Sequence, residues 1–185
     1  MLSFLDQALS LPAVIWLFVA VFLVHDAEEI ATAGWWVNTR RTRLEALAQR
    51  FRFARLVLRT ISQTSSQFAG AVFVILLAVL LGSYTGARSA ASGQGVPGPY
   101  LAMLGILFLH VFTHVGQAIL FRGYAPGVVT AVLLALPYSL YAFHRVLAAD
   151  LATWGGIVTA SAVGIALVLP AVLLAHVAGR WLAGR

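Results

Sequence analysis

The sequence predicts an all-α protein, a polytopic membrane helix bundle with five transmembrane helices and one basic amphipathic helix at the membrane surface. The first observation is composition, because 61% of the 185 residues are hydrophobic and only 10% are charged, whereas a soluble domain has about 25% charged residues. The second is length, because five apolar stretches can each cross about 30 Å of hydrocarbon at about 1.5 Å per residue. The third is charge placement, because the arginines concentrate between and after these stretches. We find no internal repeat and predict a single domain over residues 1–185.

The first predicted transmembrane helix covers about residues 12–36. Ser10 is placed to cap its N-terminus, and Pro12 suits its first turn. The preceding residues contain Asp6 instead of a basic segment, and no small-residue cleavage site follows the apolar run. We therefore expect this helix to be retained in the membrane and not removed as a signal peptide.

The other four predicted transmembrane helices cover residues 61–81, 100–121, 127–146 and 153–177. The segment GSYTGARSAASGQGVPGP is rich in Gly, Ser and Pro, so we expect it to be a loop that ends the second helix. The segment RGYAPG is predicted to form a tight turn before the fourth helix. In that turn Pro126 fixes φ near the helix start, and Gly127 lets neighbouring backbones approach closely.

Residues 39–60 are rich in arginine and are too charged to cross a bilayer. Their apolar residues recur every three or four positions and so share one helical face: Leu44, Leu47, Phe51, Ala54 and Leu58. We expect a basic amphipathic helix on the cytoplasmic surface, with its arginines toward anionic lipid headgroups. Nucleic-acid binding is the alternative, and we disfavour it because a short arginine-rich segment beside a transmembrane helix normally faces lipid.

The arginines also predict the orientation of the protein. With five transmembrane helices, ten of the twelve arginines fall on one side, and only Arg88 and Arg145 fall on the other. Because arginine accumulates on the cytoplasmic side of membrane proteins, we expect the N-terminus outside and the C-terminus in the cytoplasm. The expected location is a bacterial inner membrane.

Two residue types are absent from the sequence, and each absence excludes a class of site. There is no cysteine, which excludes disulfides, thiolate metal sites, iron–sulfur clusters and cysteine nucleophiles. There is no lysine, which excludes a lysine Schiff base. Any metal site must therefore rely on imidazole and oxygen ligands.

The segment HDAEE places ionisable side chains inside the first predicted transmembrane helix. Each such group costs about 2.5–3.5 kcal/mol at the centre of a membrane helix on insertion scales, so it persists where it pairs, binds a ligand or lines a cavity. His25, Glu28 and Glu29 are spaced i, i+3 and i+4 and share one helical face. Asp26 is rotated by about 100° from His25 and need not join them.

The third predicted helix carries a second polar group, HVFTH. His110 and His114 are spaced i, i+4, and Gln117 extends the same face. Counted from the outer ends of their helices, the two groups reach the same depth, about 20–25 Å for His25 and Glu29 and about 17–22 Å for the two histidines. Three further polar residues fall near that level and are predicted to contact substrate or support the ligands: Gln63, Gln67 and Thr130.

Three imidazoles and two carboxylates at one depth predict a site for a divalent transition metal, zinc or iron. The predicted ligands are His25, Glu28, Glu29, His110 and His114. Glu28 and Glu29 are also the candidate catalytic residues, since one would bind the ion and the other would act as a base toward a water that the ion activates. Two alternatives stay open, a site with two ions bridged by a glutamate and an interhelical salt-bridge network. His144 and His176 lie at other depths, and we interpret them as packing residues.

With these motifs the chain resembles the HXXEE family of small multi-helix membrane proteins. The segment HDAEE matches the motif that names the family. HVFTH and the stretch YAPGVVT, which contains Tyr124, Pro126, Gly127 and Thr130, resemble later motifs of that family, so the resemblance extends from about residue 14 to residue 146. The resemblance implies a membrane fold and a metal centre, and it supplies no substrate. Tyr124 is a candidate hydrogen-bond donor to a substrate or ligand.

The residues favour a metal-dependent membrane enzyme, with hydrolysis by a zinc-activated water as the preferred reaction. Its substrate would be a lipid or another hydrophobic molecule that enters from the cytoplasmic half of the bilayer. A di-iron oxidoreductase is the first alternative. A transporter or channel for metal ions or protons is the second, and it is disfavoured because the polar groups concentrate at one depth. A non-catalytic scaffold, in which the polar groups join the helices, is the third.

Overall fold

The computed structural model describes residues 2–51 and 65–182. Helices contain most of these residues and none of them lies in a β-strand, so the predicted all-α class is confirmed. The helices are α1 (Leu2–Ala8), α2 (Leu11–Thr39), α3 (Arg41–Arg50), α4 (Ser65–Ala91), α5 (Gly98–Phe121), α6 (Val128–Ala148) and α7 (Trp154–Leu182).

Four of the described helices, α2, α4, α5 and α6, are long and apolar enough to cross a membrane. α7 provides a fifth if its two arms, Trp154–Val168 and Pro170–Ala178, form one span. The arms are bent by 47°, because Pro170 lacks an N–H and its ring displaces the carbonyl four residues earlier. The chain is therefore an integral membrane helix bundle, and its upper count of five spans agrees with the sequence prediction.

The start of α2 agrees with the prediction from the sequence. Ser10 is the N-cap, and its hydroxyl accepts a hydrogen bond from the N–H of Ala13 at 3.4 Å. The helix continues to Thr39, beyond the predicted end at residue 36. The residues before it form the separate short helix α1.

The predicted end of the second transmembrane helix at residue 81 was wrong, because α4 continues to Ala91 through the first part of the segment rich in glycine and serine. The predicted loop is confined to residues 92–97. A glycine in this segment allows close packing and does not end the helix. A Cβ added at Gly86 would lie 3.2 Å from Cγ of Tyr100, and small residues let membrane helices approach each other. The predicted first residues of this helix, 61–64, lie outside the described residues.

The basic segment begins as helix α3, which ends at Arg50 because Phe51 is extended with φ −125° and ψ 120°. Leu44 and Leu47 are partly buried, as the predicted apolar face requires. Phe51, which was predicted on the same helical face, is extended and 51% exposed, so the predicted helix does not continue through it. The remainder of the predicted surface helix, residues 52–60, lies outside the described residues.

The segment RGYAPG forms the predicted tight turn between α5 and α6. Gly127 adopts φ 76°, which glycine reaches without steric cost, and α6 begins at the next residue. The indole N–H of Trp36 donates to the carbonyl of Tyr124 at 2.8 Å, which attaches the turn to α2. Arg43 attaches α3 to the end of α5, since its guanidinium donates to the carbonyl of Leu120 at 2.7 Å.

The packing of the helices brings α6 between α2 and α5. α2 packs mainly against α4, α7 packs against α4 and α5, and α6 contacts both α2 and α5. The core between them is apolar, with Val14, Ile15, Phe18 and Leu104 almost completely buried. The hydroxyl of Tyr138 on α6 donates to the carbonyl of Val14 at 3.1 Å. As a result, the first turn of α6 lies beside the C-terminal halves of α2 and α5.

α6 changes helical type shortly after it begins. Residues Ala131–Ala135 form a π-helical stretch that directly follows Thr130. Such single turns inside α-helices are frequent at functional sites. Here the stretch separates the polar first turn of α6 from the part of the helix that packs in the apolar core.

Candidate metal centre

Four side chains from α2 and α5 converge at one point of the bundle. They are His25 and Glu29 from α2 and His110 and His114 from α5. One possible ligand atom from each residue lies within 4.8 Å of those of the other three. Each pair is spaced i, i+4 and so lies on one face of its helix. We call these residues the four-residue group.

The distances within the four-residue group are close to those of a metal site. Oε1 of Glu29 lies 3.1 Å from Nε2 of His114, 3.7 Å from Nε2 of His110 and 3.9 Å from Nε2 of His25. Nε2 of His110 and Nε2 of His114 are 2.8 Å apart. Four tetrahedral ligands about 2.0–2.1 Å from zinc are about 3.3 Å from one another. The observed separations bracket that value, so a small adjustment of the side chains would suit a single ion.

The imidazole rings approach this point from different directions. The interplanar angles are 89° between His25 and His110, 81° between His25 and His114, and 77° between His110 and His114. Stacked, parallel rings would point their nitrogens in one direction. Nearly perpendicular rings are compatible with three imidazoles that share one ion.

The four-residue group is buried on all but one side. His25 and His114 are each 2% exposed, and the side chain of Glu29 is 14% exposed, whereas that of His110 is 43% exposed. Nε2 of His25 is buried and has no hydrogen-bond partner among the described residues. A buried polar atom without a partner costs about 1–3 kcal/mol, and a bound ion would remove that cost. The donor set and this unpaired nitrogen therefore fit a metal.

Gly127 closes one side of the four-residue group with its backbone. A Cβ at this position would lie 2.9 Å from Cγ of Glu29 and 2.9 Å from Cε1 of His114. The positive φ and the lack of space both require glycine here. The turn before α6 therefore packs directly against two of the candidate ligands.

Glu28 does not belong to the four-residue group, because its carboxylate is directed toward the start of α6. Oε1 accepts from the hydroxyl of Tyr124 at 2.7 Å and from the N–H of Val129 at 3.4 Å. Oε2 accepts from the N–H of Thr130 at 2.8 Å and from its hydroxyl at 2.6 Å. Free backbone N–H groups at a helix start favour a carboxylate at this position.

Tyr124 lies in the turn between two transmembrane helices. Partial burial raises the pKa of its phenol above the ordinary value, and the hydrogen bond to Glu28 acts in the same direction. The phenol therefore stays protonated and donates to Glu28. Its hydroxyl also lies 3.1 Å from Oγ1 of Thr32, whose hydroxyl donates to the backbone carbonyl of Glu28 at 2.7 Å.

Two threonines contact the ring nitrogens that face away from the four-residue group. Oγ1 of Thr130 lies 2.9 Å from Nδ1 of His25. Oγ1 of Thr113 lies 3.2 Å from Nδ1 of His110. The sequence interpretation named Thr130 and missed Thr113, although Thr113 lies three residues after His110 on the same helix, a spacing at which side chains meet.

The other polar residues singled out from the sequence do not join the four-residue group in the described part of the chain. Gln117 is exposed on α5, and Gln67 lies near the start of α4. Gln63 lies outside the described residues. Asp26 is buried in α2 but does not join the group.

The two histidines interpreted as packing residues are also elsewhere. His144 lies near the C-terminal end of α6, where its Nε2 is 3.7 Å from Oδ2 of Asp6. His176 lies in α7 and is buried, with its ring stacked on Phe68 at a centroid distance of 6.0 Å. Neither histidine contributes to the four-residue group.

Comparison of the chain with curated proteins and with solved structures gives no match. A family model described as a protein of unknown function with HXXEE motif matches residues 16–142, which is more than half of the chain. The match contains both polar segments of the four-residue group and the turn that closes it. The chain therefore belongs to the HXXEE family.

Proposed function

We propose that the protein is a metal-dependent membrane enzyme that acts on a lipid or another hydrophobic substrate. The observation that carries this proposal is the convergence of three imidazole nitrogens and one carboxylate oxygen in a site that is exposed mainly at His110. Ligands of this kind suit zinc and iron. The bound ion would supply Lewis-acid chemistry and would activate a water for hydrolysis.

The composition of the four-residue group favours one ion over two. Di-iron centres in helix bundles are rich in carboxylates, which come from several helices. The described residues place one carboxylate, that of Glu29, beside three imidazoles. The carboxylate of Glu28 is occupied by hydrogen bonds to the start of α6. This arrangement supports a mononuclear centre and therefore favours hydrolysis over di-iron oxidation.

The surroundings of His110 support a substrate that enters from the bilayer. The large apolar side chains beside it on α5, Leu109 and Phe112, are exposed. In a transmembrane helix, exposed apolar side chains face lipid. In this proposal the exposed side of His110 opens beside these lipid-facing side chains, and a hydrophobic molecule would reach it laterally. Glu29 and the three imidazoles would hold the ion, which would activate a water for hydrolysis.

The packing of the bundle disfavours the transport alternative. The core between the four-residue group and the N-terminal end of α2 contains four side chains that are at most 2% exposed: Val14, Ile15, Phe18 and Leu104. A transporter needs polar groups along a path through the membrane. In the described part of the chain, the polar groups buried in this half of the core are hydroxyls, such as those of Tyr100 and Tyr138, and not a series of carboxylates and imidazoles.

The surface helix α3 supports a second contact with lipid. Its arginines are exposed, with the side chain of Arg41 at 75%, and they flank the partly buried face that Leu44 and Leu47 share. We propose that α3 lies on the cytoplasmic surface and that its arginines bind anionic headgroups, each worth about 1 kcal/mol near such a surface.

Elemental analysis of the protein purified in detergent tests the metal proposal. We expect about one zinc or iron ion per chain in the purified wild type. The same content should return after the metal is removed and either ion is added back. His114→Ala should lose this metal, because it removes a buried ligand, whereas His144→Ala should retain it, because His144 lies outside the group. A wild type that binds neither ion in stoichiometric amount, or equal metal content in the two variants, would contradict the proposal.

A further inference from the structure

Thr130 has one hydroxyl proton and three polar neighbours. Oε2 of Glu28 lies at 2.6 Å, Nδ1 of His25 at 2.9 Å and the carbonyl of Gly127 at 3.3 Å. A hydroxyl donates one hydrogen bond and accepts up to two. The carboxylate is the closest of the three neighbours, and a charged acceptor forms the strongest bond. The proton of Thr130 is therefore directed at Glu28.

The direction of that proton fixes the proton on His25. Since Thr130 donates to Glu28, its oxygen can only accept from His25. The neutral imidazole of His25 must then carry its proton on Nδ1, and Nε2 keeps its lone pair. Nε2 is the atom that lies 3.9 Å from Oε1 of Glu29 and has no hydrogen-bond partner among the described residues.

We infer that Glu28 is a positioning residue, which sets the tautomer of His25 through Thr130 so that Nε2 is available to a metal, while Glu29 is the ligand. This inference rests on the proposed metal site. It assigns different roles to the two glutamates of the HXXEE motif. Partners that fix the orientation and tautomer of a metal-binding histidine typically change metal affinity by about 10–100-fold when they are lost.

The carboxylate of Glu28 is itself held firmly enough for this role. Besides Thr130, it accepts from the hydroxyl of Tyr124 at 2.7 Å and from two backbone N–H groups at the start of α6. Four donors thus converge on two carboxylate oxygens. Without Glu28, the hydroxyl of Thr130 would be free to donate to Nδ1 of His25. The ring would then place its proton on Nε2, where it blocks a metal.

His110 provides an internal comparison. Its Nδ1 faces Oγ1 of Thr113 at 3.2 Å, and the hydroxyl of Thr113 donates to the backbone carbonyl of His110 at 2.7 Å. The same reasoning places the proton of His110 on Nδ1, but here a carbonyl of its own helix takes the threonine proton. Changes at Glu28 should therefore alter the tautomer of His25 and leave that of His110 unchanged.

Nitrogen NMR of the metal-free protein labelled with ¹⁵N-histidine tests the tautomer directly, at a pH where the imidazoles are neutral. The signals of His25 and His110 are assigned by their loss in His25→Gln and His110→Gln. We expect the wild-type ring of His25 to be protonated on Nδ1. In Glu28→Ala and Thr130→Val the Nε2-protonated form should increase for His25 only, and Thr130→Ser should restore the wild-type signal. A wild-type His25 protonated on Nε2 would overturn the inference, and this result needs no variant to fold.

Zinc titration tests the distinction between the two glutamates. Zinc affinity should fall by about 10–100-fold in Thr130→Val and recover in Thr130→Ser. It should fall less in Glu28→Gln than in the matched variant Glu29→Gln, because the amide oxygen can still accept from Thr130 but cannot replace a ligand carboxylate. An equal loss in the two Gln variants would make Glu28 a ligand and overturn the inference. A wild type that binds no zinc would instead overturn the proposed function, while the NMR result would still decide the tautomer.

Discussion

Glu28 and Glu29 are neighbours in the chain, yet their carboxylates meet different partners. Glu29 lies among three imidazoles in the bundle, and Glu28 lies at the start of α6. Both residues fall on the same broad face of α2 as His25, so the spacing i, i+3, i+4 alone cannot assign them different roles. The difference arises from the position of the turn before α6, which places donors beside Glu28 and the backbone of Gly127 beside Glu29.

Gly127→Ala should destabilise the protein and weaken metal binding together. A left-handed conformation costs a non-glycine residue about 1–2 kcal/mol, and the new Cβ would lie 2.9 Å from both Glu29 and His114. Gly93→Ala is the matched control, because Gly93 has φ 69° and no atom within 4 Å of an added Cβ. We expect a lower unfolding midpoint in both variants and a loss of zinc affinity only in Gly127→Ala. Equal zinc affinity in the two variants would show that the turn does not position the ligands.

The residues that converge in the candidate centre could be predicted from the sequence, whereas the hydrogen bonds around them could not. Spacing along each helix, together with depth counted from the helix ends, indicated that His25 and Glu29 would meet His110 and His114, because helix geometry alone fixes these quantities. The bonds of Glu28 to Tyr124 and Thr130 depend on how the turn between α5 and α6 packs on α2. Local patterns carry no information about that packing.

At the scale of secondary structure, α4 shows why glycine and serine have a different meaning inside a membrane. The segment after residue 81 contains the residues that usually indicate a loop in water, yet its first part, up to Ala91, belongs to α4. Within lipid, backbone polar groups must be satisfied inside the helix, which favours its continuation. The glycines then allow neighbouring helices to approach, as Gly86 does with Tyr100.

Gly86→Val should therefore destabilise the bundle. A Cβ at this position would lie 3.2 Å from Cγ of Tyr100 and 3.4 Å from Cγ2 of Ile15, and overpacking of a well-packed core costs about 1–3 kcal/mol. Gly116→Val on α5 is the matched control, since no atom lies within 4 Å of a Cβ added there. Thermal unfolding in detergent should give a lower midpoint for Gly86→Val than for Gly116→Val. The reverse order would mean that α4 and α5 do not pack as described.

At the scale of the whole molecule, the helices and the arginines together predict an orientation. The described spans agree with the sequence prediction in number when α7 is one bent span. Hydrophobicity made that number predictable, because a span needs only length and apolar composition. The position of α6 between α2 and α5 was not predictable, since it is a result of tertiary packing.

Labelling of single cysteines in intact cells tests the predicted orientation. The sequence has no native cysteine, so each introduced thiol gives an unambiguous signal. Ser92→Cys, in the exposed loop between α4 and α5, should react with a membrane-impermeant reagent from outside. Ala46→Cys, on the exposed face of α3, should react only after the membrane is permeabilised. The opposite result for the two positions would place the arginine-rich side outside and reverse the orientation.

The π-helical stretch of α6 has a consequence for how the bundle tolerates change. An extra residue in a helix rotates everything before it by about 100° relative to everything after it. Thr130 and Tyr138 can thus both face α2, where they meet His25 and Val14, whereas a regular helix would turn these two side chains about 80° apart. Deletion of a single residue within Ala131–Ala135 should retain the hydrophobic anchor of α6 and turn its polar end out of register. The orientation of the polar end of α6 can therefore change independently of its packing in the apolar core, through a change in the length of this five-residue stretch.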